Sequence, residues 1–226
     1  MITVLFSLLP YIIGSAVVPV QIIINLLLLT SPRQGLLKAA AYVSGMTITR
    51  LFQGLIFGLI LFESPAMAEE SNGKNAIIST LLLILGILLL IAAYKKWRGD
   101  ADPDDAPPKV LTMIGSLTPI KALGVGLGLP LVAAKLWVFT LSALATIADA
   151  QLGQGSSAIV YLLFIVLAES LLLLPILTRI LMPERSQDLL TRLSAWLTQN
   201  SRPITVVVSL VFGLFFLYSG ISGLLS

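Results

Sequence analysis

Residues 76–94 read AIISTLLLILGILLLIAAY, nineteen positions without a charge between Lys74 and Lys95. A hydrocarbon layer about 30 Å thick takes roughly 20 such residues as a helix. Five further stretches qualify, near 5–29, 36–62, 121–148, 156–181 and 203–225. The whole chain agrees: 226 residues, 57% hydrophobic and only 11% charged, with a mean hydropathy of +1.00. A soluble domain is about 25% charged. The expected fold is therefore all-α, a polytopic membrane protein with six transmembrane helices. The first stretch does not read as a secretory signal, because no basic residue precedes it and Pro10 and Pro19 interrupt it.

Composition also removes whole classes of chemistry. Cys and His are both absent, which excludes disulfides, thiolate metal sites, thiol relays and imidazole bases. No metal site and no cofactor is expected. The chain does not read as an enzyme: no paired-Asp motif is present, and Ser15 has no evident base. The net charge of +3 bears on orientation in a membrane, and no nucleic-acid partner is expected.

Loop charges set that orientation. Arg33 and Lys38 flank the first loop, Lys95, Lys96, Arg98, Lys109 and Lys121 the third, and Arg179, Arg185, Arg192 and Arg202 the fifth. The second loop holds Lys74 with Glu63, Glu69 and Glu70, and the fourth holds no base. Basic loops stay in the cytoplasm, so loops one, three and five are expected there, with both termini outside. The third loop divides the chain into a first three-helix half, 1–98, a Pro-rich acidic linker, 99–120, and a second half, 121–226. Three crossings per half invert the second half, which predicts an inverted-topology repeat; the simpler alternative is a six-helix bundle without symmetry. Segment 186–199 is too short and polar to span. Leu189, Leu190, Leu193, Trp196 and Leu197 fall on one side at helical spacing, the pattern of an amphipathic helix in the cytoplasmic interface or of a connector packed on the bundle.

Three full charges fall inside spans: Arg50, Lys135 and Glu169. Exposed to lipid they would together cost on the order of 8 kcal/mol or more, so they are expected to face the interior or a wet cavity. Two positive charges against one negative suit an anionic group. The alternative is a structural Arg50–Glu169 pair, of little net stability because desolvation offsets attraction. Thr47 shares a helix face with Arg50, and Gln53 extends that row; Gln21 and Asn25 share another. These polar groups either line the cavity or bond between helices.

The first and fourth spans also carry Gly and Pro in corresponding places: Gly14 to Pro19, and Gly124, Gly126, Gly128 and Pro130. Interior Pro removes a hydrogen bond and Gly lets the chain bend. Paired interruptions in two halves point to a transporter site, with half-helix N-termini facing the substrate. Breaks are expected at Gly14–Pro19 and at Gly128–Pro130. Gly124 with Gly128 also reads as a packing face, and Gly54, Gly58, Gly213 and Gly220 read as packing notches.

The run Gly14-Ser15-Ala16-Val17-Val18-Pro19, the apolar residues to Leu29, Ser31-Pro32-Arg33 and the second helix with Gly45 resemble the peptidoglycolipid-addressing (GAP) family of the lysine-exporter superfamily. The resemblance covers nearly the whole chain. Members carry Asn-Pro-Lys-Xaa-Leu in the fourth helix; this chain has Ala133-Ala134-Lys135-Leu136-Trp137, so only Lys135 matches. The resemblance implies a bacterial inner-membrane protein that moves a substrate outward, as GAP-like proteins are linked to delivery of glycolipids to the cell surface.

Together these features predict a secondary transporter, an exporter of an anionic or zwitterionic small molecule or lipid. Arg50 and Lys135 would hold the anionic group, with Thr47, Gln21 and Asn25 around it. Glu169 would pair with a base or carry a coupling proton. No ATP-binding motif is present, so a proton or sodium gradient is the expected drive. Membrane lipids are the expected partners, and a homodimer is compatible with the pattern. The alternative is a non-transporting scaffold or accessory protein of an export or assembly machine, working through its basic loops and the 186–199 face.

Overall fold

The structure is a computed structural model that describes residues 2–63, 71–99 and 113–225. Glu69, Glu70 and most of the expected 99–120 linker lie outside the described residues. Among those described, nine α-helices and one short 3-10 turn occur, and no strand. We number them α1 (Ile2–Ala16), α2 (Pro19–Leu29), α3 (Gly35–Glu63), α4 (Ser71–Arg98), α5 (Pro119–Val132), α6 (Ala134–Asp149), α7 (Gln154–Ala168), α8 (Ser170–Leu181) and α9 (Pro183–Leu225).

Three pairs are halves of broken helices. α1 and α2 meet at 58°, α5 and α6 at 70°, and α7 and α8 at 62°. The first break follows from Pro19. The residue before a proline is driven extended, and Val18 sits at φ −74°, ψ 110° with Pro19 opening α2. The second break falls at Ala133, in nearly the same conformation, φ −76°, ψ 104°. Gly128 and Pro130, expected to mark the break, lie inside α5 instead. Pro130 removes the bond to the carbonyl of Gly126 and loosens this last turn, and the chain departs three residues later. The third break, at Glu169 and Ser170, was not anticipated. No Gly or Pro stands there, and Pro175 lies inside α8.

Glycines set the closest helix approaches. A Cβ on Gly45 would meet the Leu123 carbonyl, and one on Gly126 the Tyr42 carbonyl, so α3 and α5 pack backbone to backbone. Gly124 and Gly128 touch nothing within 4 Å; the packing face of this run is the middle glycine, not the outer two. α4 and α9 pair along most of their length. Gly213 and Gly220 work there as notches, a Cβ on Gly213 meeting Leu90 and the Gly86 carbonyl, and one on Gly220 meeting Leu83 and Ser79. Between these pairs lies an apolar core that includes Leu8, Tyr42, Met46, Phe139, Phe164 and Phe216.

Segment 186–199 is not a separate helix. It opens α9, which runs unbroken through Pro203 for 43 residues, roughly 64 Å at 1.5 Å per residue. Beside the proline the Arg202 guanidinium donates to the carbonyls of Lys96 and Trp97, and Thr205 and Ser209 are buried. Near its start Gln187 donates to the Thr30 carbonyl at 3.2 Å. The expected apolar face divides: Leu190 and Leu197 point into the bundle, while Leu189, Leu193 and Trp196 point out.

Among the described residues, α9 is by length and composition able to cross a membrane as one helix, and the three broken pairs bring that number to as many as four. α3 is helical throughout its expected stretch. Large apolar side chains such as Phe6, Phe52, Leu131, Leu174, Leu177 and Val211 are exposed around the bundle. Soluble monomers rarely present so much contiguous apolar surface, whereas lipid tails cover it without cost.

The glycine contacts give a direct test. Gly126→Ala should destabilise by about 1–3 kcal/mol through overpacking and lower the unfolding temperature in detergent by several degrees. Gly124→Ala and Gly128→Ala should leave it unchanged or raise it, because Ala favours helix over Gly by about 0.5–1 kcal/mol.

Candidate functional site

Breaking a helix inside an apolar bundle releases backbone groups that must find partners. Gln21, on the inner face of α2, supplies one, and Asn25 on the same face ties α2 to α8. Gln21 Nε2 donates to the carbonyl of Ser15, at the end of α1. Asn25 Nδ2 donates to the Leu172 carbonyl in α8, at 2.8 Å. Both side chains are fully buried, so they bond across helix joints. On α3, Thr49 and Gln53 reach the Leu127 and Pro130 carbonyls of α5, at 2.9 and 3.4 Å.

Arg50 and Glu169 meet at the centre. Arg50 Nε lies 3.4 Å from Glu169 Oε1, and the two residues are 0% and 2% exposed. Arg50 Nη2 donates to Ser15 Oγ at 2.8 Å, tying α3 to the first break. Thr47, one turn earlier on α3, donates to Glu169 Oε2 at 2.6 Å. Tyr161 of α7 donates to the Arg50 carbonyl at 2.6 Å. Glu169 itself forms the joint between α7 and α8, at φ −95°, ψ 3°. One buried pair thus connects α1, α3 and the α7–α8 joint. Arg50 Nε and Nη1 and Glu169 Oε1 lack a hydrogen-bond partner, so the two groups are held by charge more than by directed bonds.

Lys135 stands apart from that pair. It lines a cavity of about 160 Å³ whose wall includes neither Arg50 nor Glu169. Val18 and Pro19 of the first break, and Ala133 and Lys135 of the second, meet across this space. Lys96, near the end of α4, lines it too, and α9 contributes Thr198, Ser201, Thr205 and Ser209. Among the described lining residues there is no carboxylate. Neither Val18 nor Ala133 carries a side-chain cap on the helix it precedes. The positive, N-terminal ends of the α2 and α6 dipoles therefore flank the cavity, although Pro19 brings no N–H and the Leu136 amide already donates to the Ala133 carbonyl. Such an arrangement attracts negative charge. One water needs about 10–15 Å³ of space of this kind, so a small, partly hydrated anionic group fits.

The sequence expectation had placed Arg50, Lys135 and Glu169 around one group. The structure joins Arg50, Glu169 and Thr47 in a sealed cluster and sets Lys135 in the cavity beside it. Gly14 makes room for the Phe139 ring, which also walls the cavity. Sequence reasoning missed Ser15, Tyr161, Lys96 and the α9 hydroxyls. The last of these carried a signal: spacings of three, four and four residues put them on one helix face.

No curated protein and no solved structure matches the chain. Residues 8–222 match the sequence family described as Sap, sulfolipid-1-addressing protein. With the apolar α9 and a match that spans almost the whole molecule, the chain is a membrane protein that belongs to the Sap, sulfolipid-1-addressing protein, family.

Proposed function

We propose that the protein is a secondary transporter that exports an anionic lipid or amphiphile, its charged head entering at the Lys135 cavity. The observation that carries this reading is the meeting of two uncapped helix N-termini, Lys135, Lys96 and four α9 hydroxyls on one cavity without a lining carboxylate. A sulfated or phosphorylated head group offers the matching charge and acceptor oxygens. The family's description, sulfolipid-1-addressing, agrees with such a cargo.

The wider arrangement supports six crossings in two inverted halves: α1–α2, α3 and α4, then α5–α6, α7–α8 and α9. Contacts are exchanged between the halves, α3 packing on α5, α1 on α6 and α7, and α4 on α9. The shared extended conformation of Val18 and Ala133 gives the leading helix of each half the same kind of break. These features fit the lysine-exporter superfamily. With alternating crossings, one end of the bundle would carry Arg33 between α2 and α3, Lys95 and Arg98 of α4, Lys121 of α5 and Arg179 of α8. The positive-inside tendency would then put that end, with Lys96 near the end of α4, in the cytoplasm of a bacterial inner membrane. Both termini then lie outside.

In this scheme the Arg50–Glu169 pair closes the path beyond the cavity. Its charges cancel, so it holds α3 against two helix joints without competing for the anion. Glu169, at the α7–α8 joint, is the group to take a coupling proton and release Arg50. A second reading, an accessory scaffold of an export or assembly machine, is favoured by one observation: the outward stripe of Leu189, Leu193 and Trp196 on α9. Substituting that stripe would then impair delivery more than changes at Lys135.

Two outcomes test the transport reading. In proteoliposomes, Lys135→Gln should reduce flux of a labelled sulfated glycolipid by roughly 10–100-fold, the loss of one charge-assisted contact of about 1.5–3 kcal/mol, while Lys135→Arg retains most of it. Unimpaired flux in Lys135→Gln would refute the site. Separately, Arg50→Met should destabilise by about 3–5 kcal/mol, because it leaves a buried carboxylate alone. Arg50→Met with Glu169→Leu should restore the unfolding temperature but not transport.

A further inference from the structure

A second cavity lies between α3, α6 and α7, away from the Lys135 site. It measures about 450 Å³, within the range of roughly 300–1,000 Å³ typical of ligand pockets. Its walls are almost wholly apolar: Leu51 and Leu55 from α3, Leu144 and Ile147 from α6, Leu162 from α7. Gly54 and Gly58 remove side chains from its α3 wall. Leu51, Leu55 and Leu162 are at once walls of the cavity and exposed surface, so the space opens onto the apolar belt of the bundle.

Two polar groups stand toward the start of α7. Gln154 lines the cavity, and Ser157 lines it while only 3% exposed. Ser157 Oγ has no hydrogen-bond partner. A buried hydroxyl left unbonded costs free energy, and here it faces a space large enough for a ligand. The inner wall is Tyr161, packed over Gly54, whose hydroxyl donates to the Arg50 carbonyl. A single ring thus separates this cavity from the Arg50–Glu169 cluster.

We infer that this groove is a binding site for one acyl chain of a membrane lipid, whose ester or amide linkage meets Ser157 and Gln154. Continuity with the apolar belt argues for a chain entering sideways from the bilayer. With the Tyr161 hydroxyl already bonded to the Arg50 carbonyl, the polar groups that remain, Gln154 and Ser157, sit toward the start of α7, as an amphiphile with one polar linkage requires. The assignment deepens the export reading, since it adds a tail site across the sealed pair from the head-group site, but it rests on its own geometry.

The test uses the full chain in vesicles of phosphatidylcholine bearing a diazirine in one acyl chain. After photolysis, labelling of residues 154–162 should exceed that of the equally exposed Leu174 and Leu177 face of α8 severalfold. Ala158→Phe and, independently, Gly58→Leu fill the groove and should remove the excess; Ser157→Ala should reduce it. Labelling equal to that of the α8 face, or unaltered in whichever filling variants fold, would overturn the assignment. Lys135→Gln should leave this labelling intact, so failure of the head-group site and failure of the groove are read separately.

Discussion

Hydrocarbon offers no hydrogen bonds, so each helix broken inside the bundle must have its backbone groups satisfied by protein or by polar contents. This requirement organises the centre of the molecule. At the first break Gln21 covers the Ser15 carbonyl, and Arg50 reaches the Ser15 hydroxyl. At the third, Glu169 serves as both joint and counter-ion. At the N-terminal sides of α2 and α6, by contrast, no side chain caps the helix, and the cavity lies there. The Ser15 carbonyl released at the first joint is met by Gln21, whereas no side chain caps the N-termini of α2 and α6.

The division of charge follows the same logic. A lone cation or anion in the bundle would be costly, and Arg50 with Glu169 solves that cost internally. Such a pair brings little net stability, but it specifies which helices meet, because moving either residue strands the other. Lys135 and Lys96 instead line the cavity, whose described wall includes neither member of that pair. On the far side of the pair lies the apolar groove behind Tyr161. On the transport reading, the polar cavity would take the head of an amphiphile and the apolar groove its tail.

Much of this was legible in the chain. The burial of Arg50 and Glu169 could be read from the penalty for charge in lipid, and the first break from the rigid ring of Pro19. The second break was displaced to Ala133 because proline weakens a turn without fixing where the backbone departs; packing decides that. The joint at Glu169 was invisible, since neither Gly nor Pro stands there and its bend is imposed by tertiary contacts. Periodicity found the apolar residues of 186–199 but not their division between inward and outward faces, because α9 continues through Pro203 and packs on α2 and α4. Spacing likewise could not tell that Gly126, rather than Gly124 or Gly128, meets a neighbour. The family resemblance, resting on the first break and its flanks, reached a lipid-addressing family.

The central claim is that the Lys135 cavity recognises negative charge on a lipid head. Native mass spectrometry of the protein in nanodiscs, offered a sulfated glycolipid and its unsulfated counterpart at equal concentration, addresses it most directly. The account predicts preferential retention of the sulfated lipid by the parent chain and loss of that preference in Lys135→Gln, with the Arg50→Met, Glu169→Leu double variant keeping it. Equal retention of both lipids by the parent, or an undiminished preference without Lys135, would contradict it.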